Sequence, residues 1–203
     1  MPDWCANTLV VSGKPEDVGR FRSESDPISA GRFVPMPHDL RGIIPGVGKI
    51  DGKKCYQWRE VDGVKVPLSV EEIHRLTDTY GAANWYDWSI LHWGTKWEFD
   101  EVKVGEAIDR KVVYTFLTAW SPPMPVVEAM SKKYLSLSFR LRYAAPDCDF
   151  KGSFWCKSGK ITRDKRVPYY SKPRKVKEFD FDKLVKQLIR QEKREKMRKG
   201  LEE

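Results

Sequence analysis

Five consecutive residues, His92-Trp93-Gly94-Thr95-Lys96, bring together side chains with chemical potential. A histidine can move a proton near neutral pH, and Asp87, Glu98 and Asp100 lie close enough in sequence to orient it. Thr95 and Lys96 offer donors to an anion, and Gly94 would let backbone N–H groups approach a phosphate. The competing reading is a structural histidine packed among aromatic rings. Trp85, Trp88, Trp93, Trp97 and Trp120 form a second candidate constellation. Tryptophan is a leading contact residue at protein interfaces and a stacker of cations and bases. It is also a bulky core residue, so the expectation is mixed use, with most buried and one or two at a groove rim. Pro2, if Met1 is removed, would be an N-terminal secondary amine capable of acting as base or nucleophile.

Other chemistry is excluded by spacing. Gly46-Val47-Gly48-Lys49 is not a phosphate-binding P-loop, because Ile43 and Ile50 stand where Gly and Ser or Thr are required. Three His and four Cys without CxxC or HExxH pairs predict no metal site, no iron–sulfur centre and no cofactor.

The basic residues are unevenly placed. The net charge is +8, but residues 157–203 hold 17 Lys/Arg against 8 Asp/Glu, while the rest is nearly neutral. Lys165, Arg166, Lys172, Arg174, Lys175 and Lys177 are therefore candidate phosphate contacts, because neutralising phosphates releases counterions. The plainer alternative is a solvated helix face.

Elements must position these groups. Residues 7–13 read as a strand ended by Gly13, and Pro15 with Glu16 and Asp17 opens a helix. Lys111–Trp120 is a β-branched and aromatic run, stopped by Ser121-Pro122-Pro123. Pro123–Tyr134 is helical in pattern, and Leu135–Tyr143 alternates as a strand. Residues 95–104 can supply one more strand. The order β-α-insertion-β-β-α-β is the split βαβ pattern of a ferredoxin-like α+β sandwich, with two helices on one face of an antiparallel sheet. Its expected extent is 1–147, with a Trp-rich insertion at about 26–94. In that insertion Gly31–Gly63 reads as loop with short strands. Ser69-Val70-Glu71-Glu72 is a capping box opening a helix that Gly81 can end. A hairpin turning at Ser158-Gly159 is expected over 148–170, then a basic linker and C-terminal helix over 171–203.

If Leu137, Phe139 and Leu141 face the helices, Arg140 and Arg142 lie on the opposite face. Val113, Thr115 and Leu117, or else Tyr114, Phe116 and Trp120, would share it. The second choice makes aromatic platforms of the kind RNA-recognition sheets use. The alternative is that the Trp-rich insertion covers this face as a second core, since an uncovered aromatic sheet would be an unusually large apolar patch.

The N-terminus lacks a signal-peptide pattern, and no apolar run is long enough to span a membrane. A cytoplasmic location with free thiols is expected; a Cys148–Cys156 bridge across the hairpin is the alternative.

Four ordered motifs carry a resemblance: Met1-Pro2-Asp3-Trp4-Cys5-Ala6-Asn7, Trp93-Gly94-Thr95-Lys96-Trp97, Thr118-Ala119-Trp120-Ser121-Pro122-Pro123 and Phe150-Lys151-Gly152. Together they resemble the YubB-type proteins of phages and conjugative plasmids, over roughly residues 1–160. Asp3 departs from the pattern, which has Asn there. The resemblance implies a ferredoxin-like domain, a mobile-element origin and a bacterial cytoplasm, and brings no catalytic residues with it. The functional expectation is a non-enzymatic protein that binds a host protein through Trp85, Trp88, Trp93, Trp97 and Trp120. The alternative is a nucleic-acid-binding accessory protein using the basic C-terminal segment with Arg140 and Arg142. A small enzyme built on Pro2 or His92 is the distant third.

Overall fold

The computed structural model describes residues 3–50 and 53–170. Pro2 and the segment 171–203, with Lys172, Arg174, Lys175 and Lys177, lie outside the described residues. In chain order the elements are β1 (Trp4–Ser12), α1 (Pro15–Ser25), α2 (Ala30–Phe33), β2 (Ile43–Ile50), β3 (Lys53–Val61), β4 (Val64–Pro67), α3 (Val70–Tyr80), α4 (Trp85–Trp93), β5 (Asp100–Ile108), β6 (Lys111–Ala119), α5 (Met124–Lys133), β7 (Ser138–Ala145), β8 (Phe150–Lys157) and β9 (Lys160–Val167). No helix among the described residues is long and apolar enough to cross a membrane.

Alternation on β1 sets the architecture. Cys5, Asn7, Leu9 and Val11 are buried, while the residues between them are not. Leu9 stands opposite Tyr114 on β6 and Leu141 on β7, and Val11 stands opposite Val112 and Phe139. Directly opposed residues share a face, so these side chains form one apolar layer. Phe21 of α1 reaches down into it, with its ring 6.1 Å from Tyr114, 5.0 Å from Tyr134 and 5.7 Å from Phe139. Val126, Val127 and Met130 of α5 are buried on the same side. The strand order β5-β6-β1-β7, all neighbours antiparallel, with α1 and α5 backing one face, is the expected ferredoxin-like arrangement.

The sheet does not stop there. β8 pairs with β7 and β9 pairs with β8, so the hairpin joins the same sheet and widens it to six strands. Its turn lies at Ser158 and Gly159, both at positive φ. Cys148 sits in the turn before β8, while Cys156 pairs with Phe139 near the far end of that strand. About six residues of strand separate them, roughly 20 Å, and both are free thiols. Leu135 also departs from expectation. The chain turns after Tyr134 (Leu137 N–H to Tyr134 carbonyl, 3.0 Å), so β7 begins at Ser138 and Leu135 faces solvent.

The insertion builds more regular structure than its Gly and Pro content suggests. β2, β3 and β4 form a separate antiparallel sheet, with a bulge between Pro45 and Gly48. A side chain at Gly48 would collide with the Trp58 ring that lies across it. Ser69 accepts from the Glu72 N–H as the capping box requires, and Gly81 closes α3 at φ 78°. The insertion packs on the helix side. Trp93 Nε1 donates to the Val34 carbonyl at 2.8 Å, and α4 lies against α5. Glu98 accepts from the N–H groups of Ala30 and Gly31, at 2.7 Å each. Of the two sets the sequence left open for the opposite sheet face, Val113, Thr115 and Leu117 are the ones that occupy it. The insertion does not cover it, and Tyr114 and Phe116 do not occupy it, because both are buried beneath the helices.

Candidate functional site

Three of the four sequence motifs converge. Asn7, buried on β1, donates through Nδ2 to Thr118 Oγ1 at 2.8 Å, and Thr118 Oγ1 donates to the Ser121 carbonyl at 2.8 Å. The Trp120 N–H donates to the Asp3 carbonyl at 2.8 Å. Thr95 Oγ1 donates to the Ala119 carbonyl at 3.0 Å, and Ser121 Oγ donates to the Gly94 carbonyl at 2.5 Å. Ser89 of α4 donates to the Lys96 carbonyl at 2.8 Å. Gly94 has φ 76°, and a Cβ there would press on Pro125 and the Pro122 carbonyl, so glycine is required. These bonds tie the segment 93–97, the end of β6 and the start of β1 into one unit.

That unit presents a small aromatic surface. The Lys96 ammonium stands 4.3 Å from the centre of the Trp97 ring, 4.9 Å from Trp120 and 5.6 Å from Tyr86. Tyr86 meets Trp85 and Trp120 edge to face. Each cation–π contact at a partly exposed site contributes about 0.5–1 kcal/mol, so Lys96 fixes the rings more than it stabilises the fold. Trp120 has φ 67°, a conformation costing a bulky residue roughly 1–3 kcal/mol.

The tryptophans separate into two groups. Trp85 and Trp120 are half-buried and Trp97 is 38% exposed, so these three present surface. Trp88 and Trp93 are 4% and 6% exposed and belong to the core. They offer no contact face, because Trp88 stacks on His92 and Trp93 meets Trp88 edge-on while bonding Val34. The expected anion turn is also corrected: Thr95 is fully buried with its hydroxyl committed to Ala119, and the Lys96 ammonium faces rings. His92 is held structurally, with Nε2 3.1 Å from the Tyr80 carbonyl and its ring stacked 4.6 Å from Trp88. Tyr86 was not singled out in the sequence. Its position one helical turn below Ser89 and Ile90, beside Trp85, is the signal that could have found it.

The predicted basic residues also divide. Arg140 and Arg142 lie on the sheet face away from the helices, both exposed, and Lys165 joins them opposite Ser153. Arg166 lies on the other face, its guanidinium 3.8 Å from the centre of the Phe150 ring. Strand parity puts it there: it pairs with Gly152, which itself opposes the buried Tyr143. Sequence reading missed Trp155 and Arg163, which register aligns with Arg140 across three strands. The guanidinium carbons of Arg140 and Arg163 stand 5.0 and 4.9 Å from the Trp155 ring centre. The covered Trp155 Nε1–H finds no acceptor among the described residues.

Residues 92–184 match the protein family described as the ferredoxin-like domain in Api92-like protein. Among solved structures, the crystal structure of protein api92 from Yersinia pseudotuberculosis is similar. The TM-score is 0.50 and the identity 10%, over 85% of this chain and 100% of that one. No curated protein matches. At that identity the structural likeness speaks to the fold alone. The chain thus carries a ferredoxin-like domain similar to that of Api92-like proteins.

Proposed function

We propose that this is a non-enzymatic binding protein that docks a host protein through the aromatic surface of Trp85, Tyr86, Trp97 and Trp120 around Lys96. The observation that carries the reading is Trp120 itself: a large residue held in a left-handed backbone conformation, with its ring presented beside a lysine and three other partly exposed rings. Local strain kept by a surrounding hydrogen-bond network is a feature of sites that act on something outside the chain. Rings fixed on a rigid base lose little entropy on docking, which suits the few residues that dominate an interface. The resemblance of the four motifs to YubB-type proteins supports an accessory role in a phage or conjugative plasmid, within a bacterial cytoplasm.

The experiment is an affinity capture from nuclease-treated bacterial lysate, using wild type and the Tyr86→Ala and Trp97→Ala variants. A stoichiometric host protein is expected with wild type. Each substitution should weaken its binding by about 30-fold, equivalent to ~2 kcal/mol. Absence of a stoichiometric partner, or a partner retained equally by both variants, overturns the reading.

A further inference from the structure

We infer that the face of β7, β8 and β9 turned away from the helices binds single-stranded nucleic acid, centred on the stack Arg140–Trp155–Arg163. This site is separate from the aromatic surface around Lys96 and does not depend on it.

The face is built by register. Arg140 opposes Trp155 and Trp155 opposes Arg163, while Arg142 opposes Ser153 and Ser153 opposes Lys165. Lys151 stands on the same side of β8. No ion pair involves Arg140, Arg142, Lys151, Arg163 or Lys165 among the described residues. Asp164, the carboxylate within β9, pairs with the buried Phe154 and so lies on the opposite face. The result is a patch of cations without neutralising partners among the described residues, on a sheet layer that no described element covers. Such a patch attracts a polyanion.

Its geometry favours a single strand. Trp155 lies between two guanidinium groups, and Arg163 Nε also donates to Ser153 Oγ at 2.8 Å. The arginines are thereby pre-ordered, with planar outer faces that can carry unpaired bases and donors that can reach phosphate oxygens. A shallow groove of about 340 Å³ between Arg142, Lys151, Ser153 and Lys165 continues the basic track. Next to it, β1 and β6 present the short side chains of Thr8, Val10, Val113 and Thr115, which leave room for bases. A duplex fits poorly. Six strands at about 4.8 Å spacing make a sheet roughly 24 Å wide, twice the ~12 Å major groove.

The test measures fluorescence anisotropy of the full chain with oligo-dT, oligo-U, a mixed-sequence duplex and polyglutamate, across a salt series. The variants are Arg140→Gln/Arg163→Gln and, on the opposite face, Arg166→Gln, each checked for folding by thermal melting. The expected result is tighter binding to a single strand than to duplex or polyglutamate. The double variant should lose at least about tenfold, with the log–log salt slope shallower by about 1.4, since each single-strand phosphate contact contributes about 0.7. Arg166→Gln should leave binding unchanged. The inference is overturned by no binding at about 50 mM salt, by a preference for duplex or polyglutamate, or by affinity indifferent to the double substitution. It is also overturned if Arg166→Gln weakens binding as much as the double variant does.

Discussion

Asn7 and Thr118 are joined side chain to side chain, Nδ2 to Oγ1 at 2.8 Å, with both residues buried in the layer between sheet and helices. Asn7 uses the same amide to reach the Cys5 carbonyl, also at 2.8 Å. A polar pair in an apolar layer is stabilising only while both members are satisfied. Asn7→Ala should therefore destabilise the fold by about 1–3 kcal/mol, because Thr118 loses its donor in a buried setting. Urea denaturation midpoints at constant m-value would measure it. A change below about 0.5 kcal/mol would contradict the role assigned to the pair.

Trp120 offers a test in which two small residues differ. At φ 67° an alanine keeps the steric penalty and a glycine does not. Trp120→Gly is expected to be more stable than Trp120→Ala by about 1 kcal/mol, although glycine is ordinarily the more destabilising choice. Thermal melts of the two variants decide it. The reverse order would mean that the backbone there relaxes once the ring is gone.

Gly152 lies under the Tyr143 hydroxyl and close to the Lys165 carbonyl, and a Cβ would meet both. Gly152→Ala should cost about 1–3 kcal/mol by overpacking. In a Tyr143→Leu background that loss should shrink, because both the hydroxyl and the ring Cζ that a Cβ would meet are gone. No recovery in the double variant would assign the strain to the β9 backbone alone.

Alkaline pH should weaken the fold. Burial pushes the Cys5 thiol up to about 11, against the lowering effect of its bond to Thr118. Burial also raises Cys156, and it raises Tyr114, which donates to Asp26 at 2.5 Å. An unfolded cysteine ionises near pH 8.5–9, where the folded Cys5 keeps its proton. The unfolded chain then binds fewer protons than the folded one, so stability falls as pH rises from about 9 through about 11. For Cys5 the loss approaches about 3 kcal/mol. Urea titrations at pH 8 and pH 10.5 should show the decline, and Cys5→Ala should make it shallower.

The layered fold was legible because its strongest signals are local. The alternation of Leu137, Phe139 and Leu141 and the β-branched run from Lys111 carry their periodicity in adjacent residues. So do Ser69 with Glu72 and the turn at Ser158-Gly159. Illegibility began where partners are distant. Pro45, Gly46 and Gly48 hid β2, because the bulge that accommodates them is fixed by Trp58 on the neighbouring strand. The same reason hid the Arg140–Trp155–Arg163 alignment. It depends on pairing across two ladders and on a register shift after Trp155, neither of which any single segment encodes. The tryptophans were recognisable as unusual, but their division into Trp88 and Trp93 below and Trp97 and Trp120 above follows from how α4 docks. Composition does not carry that information.

β5 forms one rim of the wide sheet and is interrupted twice, between Asp100 and Lys103 and between Val104 and Ala107, with Glu101 at φ 47° between the first pair. A broken, charged border is a poor template for adding a further strand from a neighbouring molecule. Self-assembly into fibrils is thereby discouraged at that margin.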